Sequence, residues 1–439
     1  MKRYVELFRN NIDILANHLL VLMAFWLPFS YKPVASGFSV LILLFAFKKE
    51  RWSALKRAVN NRVVQAFLLY FLVNIIGILF SDDYHSSWNW AKNLSYCTYP
   101  LIMMIFLRYE YVKRIISAFI VGMFISELAS YGVYFEFITH TTPFIQDFLF
   151  VKAGPAYPTP FMDHLAYGFF LALTSSTLLY LMLKTDDIRL KSIEILFFIL
   201  ISMNLFINIA RSSYILYAIG LLFVLYRVYR SKFWKAFPFG LLALASIFII
   251  ANTFSPNFGK KIDQTVHNVE KIIYEEDYHS SIGMRIDNYI LASKLIEEKP
   301  LFGYGTGQHV KALHQRAVQE KSWVAKTIEK YWTSDSQYLD VLLQFGVVGF
   351  ILFLNILYQG FRYKQEDHYL RTLQLVLLIL FSLYSIQTFS MYVWPVSTLF
   401  FFLLTLTLVQ KSEEKSISTV SMGLMVKYAL FAVALAFIS

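Results

Sequence analysis

The stretch SDSQYLDVLLQFGVVGF, Ser334 to Phe350, runs from three short polar residues straight into an apolar, helix-length segment. It closes a long polar insertion that opens near Thr253 and contains GMRIDNYILASKLIEEKPLFGYGTG, Gly283 to Gly307. Outward from this insertion, in both directions, the chain reads as membrane. Polar chemistry is therefore concentrated where these two segments meet hydrocarbon-length helices.

The 439 residues are 57% hydrophobic and 16% charged, with a mean hydropathy of +0.52, which excludes a set of soluble domains. A hydrocarbon core about 30 Å thick needs roughly 20 apolar residues per helix. Such stretches centre near residues 20, 40, 72, 100, 126, 174, 201, 218, 244, 348, 381 and 400. The expected fold is all-α and polytopic, with about 12 transmembrane helices. It divides into helices 1 to 9 over residues 1–252, one large outer loop over 253–336, and helices 10 to 12 with an apolar C-terminal segment over 337–439. The last apolar run, Gly423 to Ile438, is short for a span and suits the interface.

A net charge of +11 suggests nucleic acid, but in a membrane protein the position of Lys and Arg matters more. With the N-terminus inside, inner segments hold 24 of them and short outer segments 4. Another 11 lie in the long insertion, where translocation is indifferent to charge. The insertion is therefore expected outside, and nucleic acid is not an expected partner. The single cysteine, Cys97, can form no internal disulfide.

In FINIARSSYILYAIG, Arg211 stands alone between two apolar helices with almost no loop. A guanidinium at the membrane boundary is rare and points to function rather than to snorkelling. Apolar positions Ile286, Tyr289, Ile290, Ser293 and Ile296 after Arg285 follow a 3.6 period, so this helix should lie on the membrane surface or on the bundle. The glycines of FGYGTG could bring backbone N–H groups to a phosphate, or form a helix end and turn. Ser334, Asp335 and Ser336 suit a helix N-cap, and the same helix end favours an anion or a base beside one. Trp88 and Trp90 in the loop over 81–95 read as interfacial anchors.

Taken together, ARSS at Arg211, RIDNYILASKLIEEKPLFGYG opening at Arg285, and SDSQYLDVLLQFGVVGF with Ser336, Gly346 and Gly349 resemble the O-antigen ligase and polymerase superfamily of membrane glycan transferases. One departure is visible. Ligases of that family place a histidine just before the polar residue that is Ser336 here, and this chain has Asp335. The resemblance implies transfer of a glycan from an undecaprenyl-diphosphate carrier to lipid A core or another surface acceptor, at the periplasmic face of a bacterial inner membrane. Alternatives are O-antigen or exopolysaccharide polymerisation within the superfamily and, from another class, a transporter or flippase; the absence of an internal repeat and the clustering of charges at one face argue against transport.

Arg is suited to clamping the leaving diphosphate, so the resemblance makes Arg211 and Arg285 catalytic with Asp335 as base. His309 or His314 could substitute for that base. Arg211, Arg285, His309, His314 and Tyr338 form the expected substrate-binding set. The arginines supply the positive charge, so the scheme needs no cofactor and no metal. The expected partners are the donor, the acceptor and membrane lipids.

Overall fold

The structure is a computed structural model that describes residues 2–143, 145–275, 277–322, 325 and 333–411. The apolar run Gly423 to Ile438 lies outside them. Among the described residues the chain is helical, with a single isolated β-bridge between Gly154 and Tyr157 and no strand. The first part comprises α1 (Lys2–Trp26), α2 (Tyr31–Phe47), α3 (Arg51–Val59), α4 (Arg62–Ile78), α5 (Tyr84–Asn93), α6 (Tyr99–Phe106) and α7 (Tyr109–Tyr134). The middle comprises α8 (His164–Lys184), α9 (Ile188–Ile207), α10 (Arg211–Tyr229), α11 (Phe233–Phe254), α12 (Pro256–Glu275), α13 (Ser281–Glu298) and α14 (Gln308–Gln319). The last are α15 (Gln337–Arg362), α16 (His368–Tyr384) and α17 (Trp394–Leu406).

Each of the twelve apolar stretches falls in one of these helices, yet they are not all of membrane length. Five helical stretches are long and apolar enough to cross a bilayer, or six when α3 and α4, bent by 83°, form one span. Tyr31–Phe47, Ser95–Phe106, His368–Tyr384 and Trp394–Leu406 are shorter. The 43-residue stretch Arg211–Thr253 is a hairpin rather than one rod. A Cβ on Gly240 would touch Leu225, and Phe248 packs on Phe206, so the chain reverses around Arg230–Lys232.

The bundle has two unlike ends. At one, Arg108 bonds Asp13 at 3.1 Å, Lys48 also reaches Asp13, and Tyr109 bonds Asp367. Tyr180 meets His368 at 2.9 Å and Arg227 meets Thr372 at 3.4 Å nearby. The other end holds Arg211, Arg285 and Asp335. The proline-rich segment after α7 folds back there, with Ser130 donating to the Pro158 carbonyl.

That second end is built on a break in α15. Gly346 has φ 59° and ψ −156°, outside any helix and in a region essentially reserved for glycine. A break of this kind frees carbonyls before it and N–H groups after it, which must find partners near the apolar phase. The segment after α13 supplies them. Tyr304 and Gly305 donate to the Leu343 and Gln344 carbonyls, each at 2.8 Å, and Val347 and Val348 donate to the Pro300 and Leu301 carbonyls at 2.8 and 3.4 Å. Gly303, at φ 65°, lies so close that a Cβ would sit 2.5 Å from the Leu343 oxygen. FGYGTG is thus a backbone splint, and the N–H groups of Gly303 to Gly307 are taken by protein and not free for phosphate. Gly346 serves this splint, where a Cβ would meet the Leu301 backbone.

Gly346→Ala would set a Cβ 2.3 Å from the Leu301 backbone at a φ unfavourable to side chains. It is expected to cost about 3 kcal/mol or more, combining strain and overpacking. Gly154→Ala, with nothing within 4 Å of the added carbon, should stay within about 0.5 kcal/mol of the parent. Thermal unfolding in detergent compares the two.

Candidate active site at one end of the bundle

Arg211 opens α10 and turns its guanidinium across the bundle end. Nη1 donates to Thr265 Oγ1 at 2.6 Å from α12, and Nη2 to Ser281 Oγ at 2.8 Å from α13. Both partners are neutral hydroxyls. Arg285 lies one turn into α13, half-buried, with its Nε enclosed and without a hydrogen-bond partner among the described residues. Its charge is felt at Arg211. The ion pairs formed among the described residues include neither guanidinium. Two cations held in each other's field without a carboxylate between them form a site short of negative charge.

Asp335 faces this pair from the start of α15. It has φ 61°, a left-handed conformation uncommon for a residue with a side chain. The turn is held on several sides. Asp335 N–H donates to Thr333 Oγ1 at 3.1 Å, and the preceding Ser334 N–H donates to Asp340 Oδ1 at 2.8 Å. Asn288 Nδ2 donates to Asp335 Oδ2 at 3.4 Å. Burial pushes the Asp335 carboxyl above the usual carboxylate range, while the Arg285 charge and the Asn288 bond hold it back.

The capping reading of this segment needs correction. Ser336 occupies the N-cap with no side-chain cap bond. The Gln337 N–H goes instead to the Ser385 and Thr388 carbonyls, at 2.9 and 3.0 Å. The Asp335 carboxylate is therefore not spent on the helix end.

The other expected site residues lie apart from this group. His309 is wholly buried on α14, with the Trp90 ring edge-on at 5.2 Å. Its Nε2 is 3.7 Å from Asp340 Oδ1, beyond hydrogen-bond reach, and burial pushes the imidazole down to about 3, so the contact joins a neutral ring to a carboxyl group rather than two ions. His309 presents nothing to a substrate in this conformation. His314 is half-buried on the same helix, with Nδ1 enclosed and without a hydrogen-bond partner among the described residues. Tyr338 points into the bundle, donating to the Ser382 carbonyl at 3.0 Å and packing on Phe350 and Phe353.

Trp90, read as an interfacial anchor, instead packs inward on His309 and Tyr392. The buried face of α13 is Gly283, Asn288, Leu291, Ala292 and Leu295, set on α15 and α14, rather than the stripe of Ile286, Tyr289, Ile290, Ser293 and Ile296. Asn288, Thr265 and Ser281 have no motif to announce them. Asn288 alone was accessible, being three residues after Arg285 on the same helix face.

An all-helical membrane protein with two guanidiniums that no ion pair among the described residues engages, and a carboxyl group beside them at one end of its bundle, is a class that suits chemistry on a lipid-borne anion. Residues 196–354 match the family described as O-Antigen ligase, and this bears out the resemblance to the O-antigen ligase and polymerase superfamily of membrane glycan transferases. An uncharacterized protein of Haemophilus influenzae (strain ATCC 51907 / DSM 11121 / KW20 / Rd) is 26% identical over 141 residues, 32% of this chain and 34% of that protein. The chain thus matches about a third of that relative's length. Arg211, Arg285 and Asp335 all lie within the family match.

The electrostatics of the site carry a sign. Arg285→Gln removes the charge that favours ionised Asp335, so its carboxyl should titrate at higher pH than in the parent. Asn288→Leu should shift it the same way. Carbon-detected NMR of aspartate-labelled protein, with Asp335→Asn to assign the signal, reads both shifts; a downward move in Arg285→Gln would contradict this assignment of the field.

Proposed function

We propose that this chain transfers a glycan from a polyprenyl-diphosphate carrier, undecaprenyl diphosphate in the family's usage, to an acceptor hydroxyl. The reaction takes place at the outer, periplasmic face of a bacterial inner membrane. The observation that carries the proposal is Arg285, whose charge reaches both Arg211 and Asp335 while no ion pair among the described residues engages it. In this reading about twelve helices cross the membrane with the N-terminus inside, and residues 253–336 form the outer loop. The basic contacts at the opposite end of the bundle support that orientation.

The acceptor hydroxyl attacks the anomeric carbon of the donor while its proton passes to a carboxylate oxygen of Asp335. The bond from the anomeric carbon to the diphosphate oxygen breaks, and the diphosphate leaves with the electron pair. Negative charge grows on that leaving group, where two guanidiniums can bind it through forked N–H groups. Arg211 already bonds two neutral hydroxyls that an anion could displace. Asp335 is raised by burial, which makes it a better proton acceptor than an exposed carboxylate once ionised. Lipid A core is one candidate acceptor. A growing glycan is the other, and Asp335 in the place of a ligase histidine favours this polymerase variant.

Transfer from a purified undecaprenyl-diphosphate-linked donor in nanodiscs tests the proposal. Asp335→Asn should keep its melting temperature and lose about a hundredfold or more in rate. Arg211→Lys and Arg285→Lys should recover little activity, since a point charge does not reproduce a planar fork. Full activity in Asp335→Asn would remove the carboxylate from the scheme, and full activity with both lysines would remove the arginine clamp.

A further inference from the structure

Between the α10–α11 hairpin and the site helix α13 lies α12, whose role the transfer scheme does not use. Ile262, Val266, Val269 and Ile273 recur at intervals of four, three and four residues and form one stripe. All four are exposed, at 41%, 53%, 39% and 65%. Asp263, His267 and Glu270 are exposed on a neighbouring, polar face. At one edge of the stripe the helix turns inward, through buried Phe258 and through Thr265, the partner of Arg211.

The surroundings of α12 indicate what covers the stripe. It follows α11 after a single residue, Ser255, which donates to the Phe206 carbonyl at 2.8 Å. Ahead of this junction α11 packs on α10, and through Phe248 on Phe206 of α9, while its outer side is open, with Leu242 and Ile249 each 66% exposed. Lipid is the solvent for such a surface. Phe258 packs on Tyr214, three residues into α10, and on Phe248, six residues before the end of α11. At 1.5 Å per residue this places α12's first turn about 5 to 9 Å inside the helix ends, the depth of roughly 5–10 Å reached by an interfacial helix.

The geometry points to α12 as an interfacial helix that binds phospholipid of the outer leaflet through Ile262, Val266, Val269 and Ile273. Charged side chains face water, and the inner face holds Thr265 on Arg211. Membrane lipid is then the partner that seats one of the two guanidiniums. The inference rests on the membrane orientation proposed above and not on the transfer chemistry.

Fluorescent labels on single cysteines test it in nanodiscs of phosphatidylethanolamine and phosphatidylglycerol; Cys97 is buried and should stay silent. Labels at 262, 266, 269 and 273 should emit as in an apolar medium and be quenched several-fold more by shallow nitroxide lipids than labels at 263, 267 and 270. A position whose variant fails to fold is read from the other three of its stripe. Uniform water-like emission without lipid quenching at both sets would overturn the inference. So would a stripe shielded only when two copies share a disc, which would make the occupant a second chain. Because the readout is lipid contact, loss of transfer activity alone leaves it unaffected, and normal transfer with a water-exposed stripe would still refute it.

Discussion

The backbone of a broken helix cannot be left unsatisfied beside hydrocarbon, and this constraint organises the end of the bundle that holds Arg211, Arg285 and Asp335. At Gly346 the ladder of α15 opens, and the segment Pro300 to Gly305 closes it with four backbone hydrogen bonds. Those bonds bind the segment after α13 to the bundle by its main chain, where specificity does not depend on side-chain rotamers. They also set α13, immediately upstream, against the first turns of α15. That splint brings Arg285 and Asn288 on α13 next to Asp335, which stands just ahead of α15. The glycines at 303 and 346 are there because backbone must approach backbone, and a Cβ at either would collide with main-chain atoms.

On this frame the chain maintains an unfavourable arrangement. Arg211 and Arg285 act on each other with no carboxylate among the described residues paired to either, and Asp335 is buried beyond what a free carboxylate prefers and bent to a positive φ. Each feature costs stability, and each is expected where an anion is to arrive and a proton is to be taken. Asp340 braces the turn by accepting the Ser334 N–H, so the strain at Asp335 is held by a neighbouring buried group rather than by helix capping. The neutral partners of Arg211 fit the same picture, since hydroxyls position a guanidinium without cancelling its charge.

Much of this was legible in the residues. Apolar runs of helix length define an all-α membrane protein because the bilayer demands them, and a solitary Arg beside ARSS or opening a helix after a polar loop is costly enough near lipid to attract attention. The local pattern SDSQYLDVLLQFGVVGF placed a carboxylate at a helix start. Less legible was the inner face of α13. Its periodicity offered Ile286, Tyr289 and Ile290, but Leu291, Ala292 and Leu295 are buried instead, in one apolar cluster with Leu313, Ala317 and Leu343, and Asn288 on the same face reaches Asp335. Trp90 misled for a similar reason, since an aromatic at a membrane edge and one packed on a buried histidine look alike in sequence.

The sequence by itself determined the class, the helix positions and the polar residues too expensive to be ornamental, because hydrophobic length and isolated charge are properties of a local stretch. Only the tertiary structure decided that residues 74 positions apart, Arg211 and Arg285, share one electrostatic site, that FGYGTG splints a helix instead of cradling a phosphate, and that His309 is sealed away while Asp335 is not. Those outcomes depend on which backbone groups lose their partners when α15 breaks and on which distant segment supplies replacements. That is a long-range hydrogen-bonding constraint with no periodic trace in the chain.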